Sequence, residues 1–299
     1  MSIGEMQSCL ALLYVSEPFR RWFDLDPFAA LKSYDLTAEE SAALRKLDRD
    51  RLDLFANSLI SKRRKGVERA FPVLFALDAA MMRRYYVRFY HLYPARLDQA
   101  SYLDVVNFGT FVEDSLAQSE RVPAYTSDLA RYERLYYLTA VVAFSGKSPA
   151  DLSNVAPKAA DLTDMEQQPV LRHGVQVADF GYDVGEIEDA IRHGHAPTDA
   201  RPVSGGCSII FQPSASGVKM LKINAPTRTV LAFCDGNRTA AAIVADTEAE
   251  LRTTNMTGPI VETINRLLAS NVLGLDREVS AQVPIPLRPY SAAIEAESV

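Results

Sequence analysis

Val218–Glu250 reads VKMLKINAPTRTVLAFCDGNRTAAAIVADTEAE, and Gly258–Leu275 reads GPIVETINRLLASNVLGL, with a polar stretch between them. The order predicts a short strand followed by three helices. Asp235-Gly236 marks a turn after the first helix, and Gly258-Pro259 puts proline in the first turn of the third. In that third helix Ile260, Ile264, Leu267 and Leu268 recur at i, i+4, i+7 and i+8, which makes one apolar stripe. Such a stripe is ordinarily core.

Upstream, Ser208–Gln212 (SIIFQ) and Val218–Asn224 flank Pro213–Gly217 and read as a β-hairpin. Gly174–Phe180 alternates like a further strand, Asp183–His193 reads as a short helix, and Pro197–Gly206 as a loop. Residues 151–172, rich in Ser, Pro, Asp and Gln, read as a linker. Residues 1–150 are helical in pattern. Thr37-Ala38-Glu39-Glu40 is a capping box, and helices are predicted over Asp50–Val67, Phe75–Tyr90, Tyr102–Gln118 and Ser127–Phe144. Pro72, Pro94 and Pro123 fall between them, where proline interrupts least. The expected organisation is a helical bundle over 1–150, a linker over 151–172, a second domain over 173–280 and a proline-spaced tail over 281–299.

A strand beside an apolar helix suits peptide binding by strand addition, which needs unpaired main-chain groups at a sheet edge and a neighbouring groove. Val218–Asn224 is the candidate strand. Val218 and Met220 fit one face and Leu221 and Ile223 the other, as if a bulge intervened.

The stretch resembles the PqqD-like peptide-binding modules known as RiPP recognition elements, which hold the leader segment of a precursor peptide. The resemblance rests on the KIN strand end, TVLAF, Cys234-Asp235-Gly236, Arg238-Thr239, Ala242-Ile243-Val244 and the terminal LASNVLG. It departs from the family at Ala242, where a capping glutamate is often seen. It implies an α+β chain, with the N-terminal helical bundle followed by a winged-helix-like module of a short antiparallel sheet and three helices. It also implies a peptide-binding face of Val218, Lys219, Met220, Leu221, Lys222 and Ile223 on the strand, with Ile260, Thr263, Ile264 and Leu267 on the helix.

A second resemblance lies in the first half: Phe71-Pro72, Phe108-Gly109-Thr110-Phe111, Pro123-Ala124-Tyr125 and Asp128-Leu129-Ala130-Arg131-Tyr132-Glu133. Their order is similar to the helical domain of proteins that partner multinuclear non-haem iron-dependent oxidases, some of them described as DNA-binding. The combination is like the partner subunit of thiaglutamate biosynthesis and, more distantly, that of methanobactin. It implies that iron resides in the partner oxidase, with no cofactor in this chain, and that the chain delivers a leader peptide to it. Arg84, Tyr86, Arg88 and Tyr90, in an aromatic and basic cluster, are the candidate docking residues, since Tyr and Arg recur at interface hot spots.

Charge and composition narrow the alternatives. The net charge is −6. Residues 205–280 hold seven basic and seven acidic side chains, a poor endowment for neutralising phosphates, so a winged-helix DNA-binding regulator is the alternative reading and nucleic acid is not an expected partner. Lys62-Arg63-Arg64-Lys65 reads as a solvated helix face. Cys9, Cys207 and Cys234 are odd in number and far apart, which fits a reducing cytoplasm. No secretory signal or membrane-spanning run is expected. His193 and His195 lack ligand-spaced partners, and no phosphate loop or GxSxG elbow occurs, so no catalytic set is expected in this chain.

Overall fold

A short acceptor side chain stands at the start of one helix after another in the first half of the chain. The computed structural model describes residues 3–93, 101–145, 162–197 and 200–275. After α1 (Ile3–Val15), Ser16 opens α2 (Glu17–Leu25), Asp26 opens α3 (Pro27–Leu31) and Thr37 opens α4 (Ala38–Arg45) with the complete reciprocal capping box to Glu40. Asp48 caps α5 (Arg49–Ala70); α6 (Pro72–Leu77) starts on proline, and Asp78 caps α7 (Ala79–Leu92). The helix expected over Phe75–Tyr90 is thus divided at Asp78. Each capping oxygen satisfies an amide that has no partner within its helix. The series ends with α8 (Ser101–Ala117) and α9 (Tyr125–Ser145).

The described residues divide into two compact units that part between Ser115 and Leu116. In the first, Cys9, Leu13, Phe23, Leu44 and Leu52 form one core cluster, and Phe71, Tyr86 and Phe89 gather around Phe108 with ring centroids 5.4–6.0 Å away.

In the second unit, β2 (Gln176–Tyr182), β3 (Pro202–Ser214) and β4 (Gly217–Ile223) form an antiparallel sheet in the order β2-β3-β4, and β1 (Val170–Leu171) pairs with β5 (Leu273–Gly274). A helix, α10 (Val184–Arg192), connects β2 to β3. Then come α11 (Ala225–Phe233), α12 (Ala240–Glu250) and α13 (Thr257–Ala269). The expected strand and three helices are therefore present, within a fold that mixes several helices with a small antiparallel sheet. Thr239 caps α12 through the Ala242 amide even without a glutamate at that position. Asn271 closes α13 in the left-handed region, φ 59°, as a residue just past a helix end commonly does.

Both faces of the sheet are covered. Val175, Val177, Ile210, Leu221 and Ile223 join the apolar residues of α11–α13 in one core. On the other face, Phe180 and Phe211 meet Tyr132 of α9 edge-on, at 6.2 and 5.6 Å.

Four sequence expectations change here. The helix at Tyr125–Ser145, assigned to the N-terminal bundle ending at 150, lies in the second unit and against its sheet. Residues 162–171 are not simple linker: Leu162 and Met165 pack on the second core, and the Pro169 carbonyl accepts from the Gly236 amide at 3.1 Å. Residues 202–206, read as loop, belong to β3. Finally, β4 has no bulge, because its register with β3 is continuous from Ser208↔Ile223 to Ser214↔Gly217. The tail at 281–299 and residues 151–161 lie outside the described residues.

The CDG turn is held tightly. Gly236 has φ 75°, and a Cβ there would stand 3.0 Å from Val170 Cγ2 and 3.1 Å from its Cβ. Val170 is buried, so it has little room to yield. Gly236→Ala is expected to cost roughly 2–3 kcal/mol, from the left-handed backbone and the clash together, read as a lower midpoint in thermal unfolding.

Candidate functional site

The strand register decides which main-chain groups of the sheet are left over. The two-residue turn at Ala215-Ser216 makes Ser214 and Gly217 a hydrogen-bonded pair. Because such pairs alternate in an antiparallel ladder, Gly217, Lys219, Leu221 and Ile223 direct their N–H and C=O groups toward β3. Val218, Met220 and Lys222 direct theirs away from the sheet. Among the described residues, no backbone hydrogen bond meets that outer edge.

The opposite edge is treated differently. By the same alternation, Asp179 and Gly181 turn their outer groups away from β3. The Asp179 carbonyl accepts from Arg131 Nη1 at 3.0 Å. The amides of Gly181 and Tyr182 donate to Asp128 Oδ2 at 2.7 and 3.1 Å. Both side chains come from α9, which thus caps the edge of β2 from Asp179 to Tyr182, while the outward groups of Val177, like those of β4, meet no backbone hydrogen bond among the described residues.

Burial pushes the Asp128 carboxyl above its ordinary range, only partly offset by the two amides and by Arg131. The raised value means that the carboxyl's share of stability is full below the unfolded value near 3.8 and is lost as pH rises through the folded one. Asn keeps the acceptor without the charge. Asp128→Asn should therefore match or exceed the wild-type melting temperature at pH 7, whereas Asp128→Ala should lose about 1–2 kcal/mol.

Side chains of β4 alternate strictly. Leu221 and Ile223 face the core of α11–α13. Met220 and Lys222 lie on the α9 and α10 face, with Met220 41% exposed. The Tyr132 hydroxyl donates to Glu188 Oε2 at 2.6 Å and lies 3.0 Å from Met220 Sδ. Glu188 also accepts from Arg192 Nε at 2.7 Å. Burial, reinforced by Glu188, holds the Tyr132 phenol well above its usual pKa and so protonated. Lys222 forms an ion pair with Asp183, the cap of α10. Burial raises the Asp183 carboxyl, but Lys222 and the Glu186 and Gly185 amides outweigh it, leaving the pKa lowered.

The helix side of the predicted face is mostly interior. Ile260, Ile264 and Leu267 are 3%, 0% and 7% exposed and belong to the core, so they support the strand from beneath and present little surface. Thr263 is half-buried, its hydroxyl donating to the Pro259 carbonyl at 2.8 Å. The end of α13 is tied to the sheet by Gln212 Nε2, which donates to the Ser270 carbonyl at 2.7 Å. Gln212 pairs with Lys219 in the ladder, so this end of α13 lies beside the start of β4.

No family model matches the chain, and no curated protein matches it in sequence.

In the first unit, the four residues read as a docking surface separate by burial. Arg84 and Arg88 are exposed on α7. Tyr86 and Tyr90 are 2% and 7% exposed, and their hydroxyls donate to the carbonyls of Ile60 and Val15 at 3.2 and 3.0 Å. These two tyrosines are core residues with satisfied polar ends, and helical periodicity alone does not distinguish that from a rim position. Arg63, from the basic run at 62–65, is also interior. It pairs with Asp104, donates to the Tyr93 carbonyl at 2.7 Å, and lies over the rings of Phe89 and Tyr90.

Sequence reasoning did not identify Asp128, Arg131, Tyr132 or Glu188 as parts of the site. Three of them lie in the DLARYE motif, within a helix that the sequence pattern alone groups with the N-terminal bundle. Among the described residues, no group of three or more His, Cys, Asp or Glu side chains could hold a metal ion, and no helix is long and apolar enough to cross a membrane. The three cysteines are free and buried.

Proposed function

We propose that this chain is a non-catalytic, cytoplasmic partner subunit that binds the leader of a ribosomally made precursor peptide and presents it to a multinuclear non-haem iron-dependent oxidase. The observation that carries the reading is the asymmetry of the sheet. One edge is capped over Asp179–Tyr182 by Asp128 and Arg131, while along the whole outer edge of β4 the main-chain groups of Val218, Met220 and Lys222 have no backbone partner among the described residues. An extended peptide is the ligand whose chemistry matches such an edge. The strands followed by α11–α13 support the winged-helix-like assignment of the module, and the sequence resemblance supports the leader as the peptide. Iron belongs to the oxidase in this reading. The specific reaction favoured by the resemblance is removal of the β-carbon of a C-terminal cysteine in thiaglutamate biosynthesis.

Backbone pairing yields about 1 kcal/mol net per hydrogen bond, and ordering the peptide costs several, so micromolar affinity is expected. A DNA-binding reading lacks support from the last helix, where Arg266 pairs with Glu262 on the surface and leaves little cationic surplus for phosphates. The test is affinity purification of the tagged chain from its native cells, with mass spectrometry to ask whether a multinuclear non-haem iron-dependent oxidase accompanies it, followed by titration with a ribosomally made precursor peptide from the same cells. A stable heteromer that binds the leader at micromolar strength is the expected result. Absence of both complex and peptide binding overturns the proposal.

A further inference from the structure

A depression of about 400 Å³ opens where α10 meets the loop before β3. Six of the nine residues that line it are apolar, among them Ile187 and Ala190 from α10, Pro197 from the loop and Val203 from β3. Glu186 and Arg201, both exposed, contribute opposite charges at its margin. Asp183 also lines it, but this carboxylate is already engaged by Lys222 and by the Glu186 amide.

The Lys222 contact connects this depression to the strand edge. Lys222 is the last residue of β4 whose main chain turns outward, and its side chain crosses the α10 face to reach Asp183. Beyond Ile223 the chain leaves the sheet for α11, while β3 continues back to Pro202 without a β4 partner. A peptide paired along Val218–Lys222 therefore runs toward the depression. Its side chains alternate between faces, and those on the Lys222 face project to the side where Asp183, Ile187 and Ala190 stand.

The lining also selects the kind of side chain. Opposite charges at the margin give no net preference for an ionic group, and Asp183 already has its donors. Apolar atoms make up more than half of the lining surface, which favours a hydrocarbon side chain over a polar one. We infer that this depression is a specificity subsite, taking one large aliphatic or aromatic side chain from the peptide at the point where it passes the end of β4. The inference rests on the reading of β4 as a peptide-binding edge, and it adds what that peptide must contain. Burial of such a side chain should improve affinity roughly 10- to 100-fold over alanine at the same position.

The test uses a displayed library of random 12-residue peptides selected on the full chain, with Met220→Pro as the counter-selection target. The winning peptide is then synthesised with a fluorescein label, alongside a version carrying alanine at its apolar anchor. Wild-type protein should bind the anchored peptide 10- to 100-fold more tightly than the alanine version. Ala196→Trp, on the exposed loop, and Ala190→Trp, on α10, fill the depression from two directions. Each variant that retains the wild-type circular dichroism spectrum should bind both peptides at the weaker level. Full anchor preference in the filled variants overturns the subsite but leaves the edge reading intact. If wild type enriches no peptide that Met220→Pro fails to enrich, the edge reading falls and the subsite with it.

Discussion

Met220→Pro should leave the protein folded and weaken peptide binding on the order of 30- to 100-fold, equivalent to about 2–3 kcal/mol. Proline lacks the N–H that residue 220 directs away from β3, and its ring stands where an incoming carbonyl would accept. The hairpin itself loses no ladder hydrogen bond, because Lys219 and Leu221 make those contacts, and edge strands are where sheets tolerate proline. The preceding residue must be extended, as Lys219 already is within β4. Met220→Leu separates main chain from side chain. It keeps the amide and an apolar group, so affinity should stay within about threefold. Fluorescence anisotropy of a labelled leader peptide measures both, with thermal unfolding as the check on integrity. Equal binding by wild type and the proline variant would show that the peptide does not pair with this strand.

Arg63→Ala should destabilise the first unit by about 3 kcal/mol, the lower end of what removing one member of a buried ion pair costs, because this pair is mostly but not fully buried. The Arg63 side chain is 10% exposed and that of Asp104 20%, so the abandoned carboxylate has little water to turn to. The substitution also removes the hydrogen bond to the Tyr93 carbonyl and the cation stacked near Phe89 and Tyr90. Arg63→Met combined with Asp104→Leu should recover much of the loss, because no charge then remains buried. The single tryptophan, Trp22, lies in this unit, so its fluorescence through a urea titration reports the change. A loss below 1 kcal/mol would mean that the pair behaves as a surface salt bridge.

Much of the second unit was legible in the sequence because its signals are local. The Ile260 to Leu268 stripe gave α13 its core face, and Gly236 gave the turn that only glycine fits. The strict register of β4 was harder to read. Val218 and Met220 followed by Leu221 and Ile223 looked like a change of face, since a strand open to solvent on one side alternates apolar with polar. Here both faces are covered, one by α11–α13 and the other by α9, and an apolar residue is at home on either. That second cover was itself hidden. An amphipathic helix announces that it has a buried side but not what it is buried against, so the pattern over Ser127–Phe144 groups with the helices that precede it. The capping roles of Asp128 and Arg131 depend on that placement and could not be reached without it. Tyr86 and Tyr90 show the same limit: a phenol bonded to a buried carbonyl and a phenol awaiting a partner have one spelling.

The unequal treatment of the two sheet edges also bears on self-association. A sheet that is open on both sides can add copies of itself without end, since each addition regenerates the surface that was consumed. With Asp128 and Arg131 occupying β2 from Asp179 to Tyr182, two copies that meet through β4 consume its outward groups at once. Such an encounter closes on itself as a twofold pair, and the capped half of β2 offers a filament little to grow from. The chain can thus keep a strand exposed for a ligand while the capped side narrows the routes by which copies of the same protein could stack.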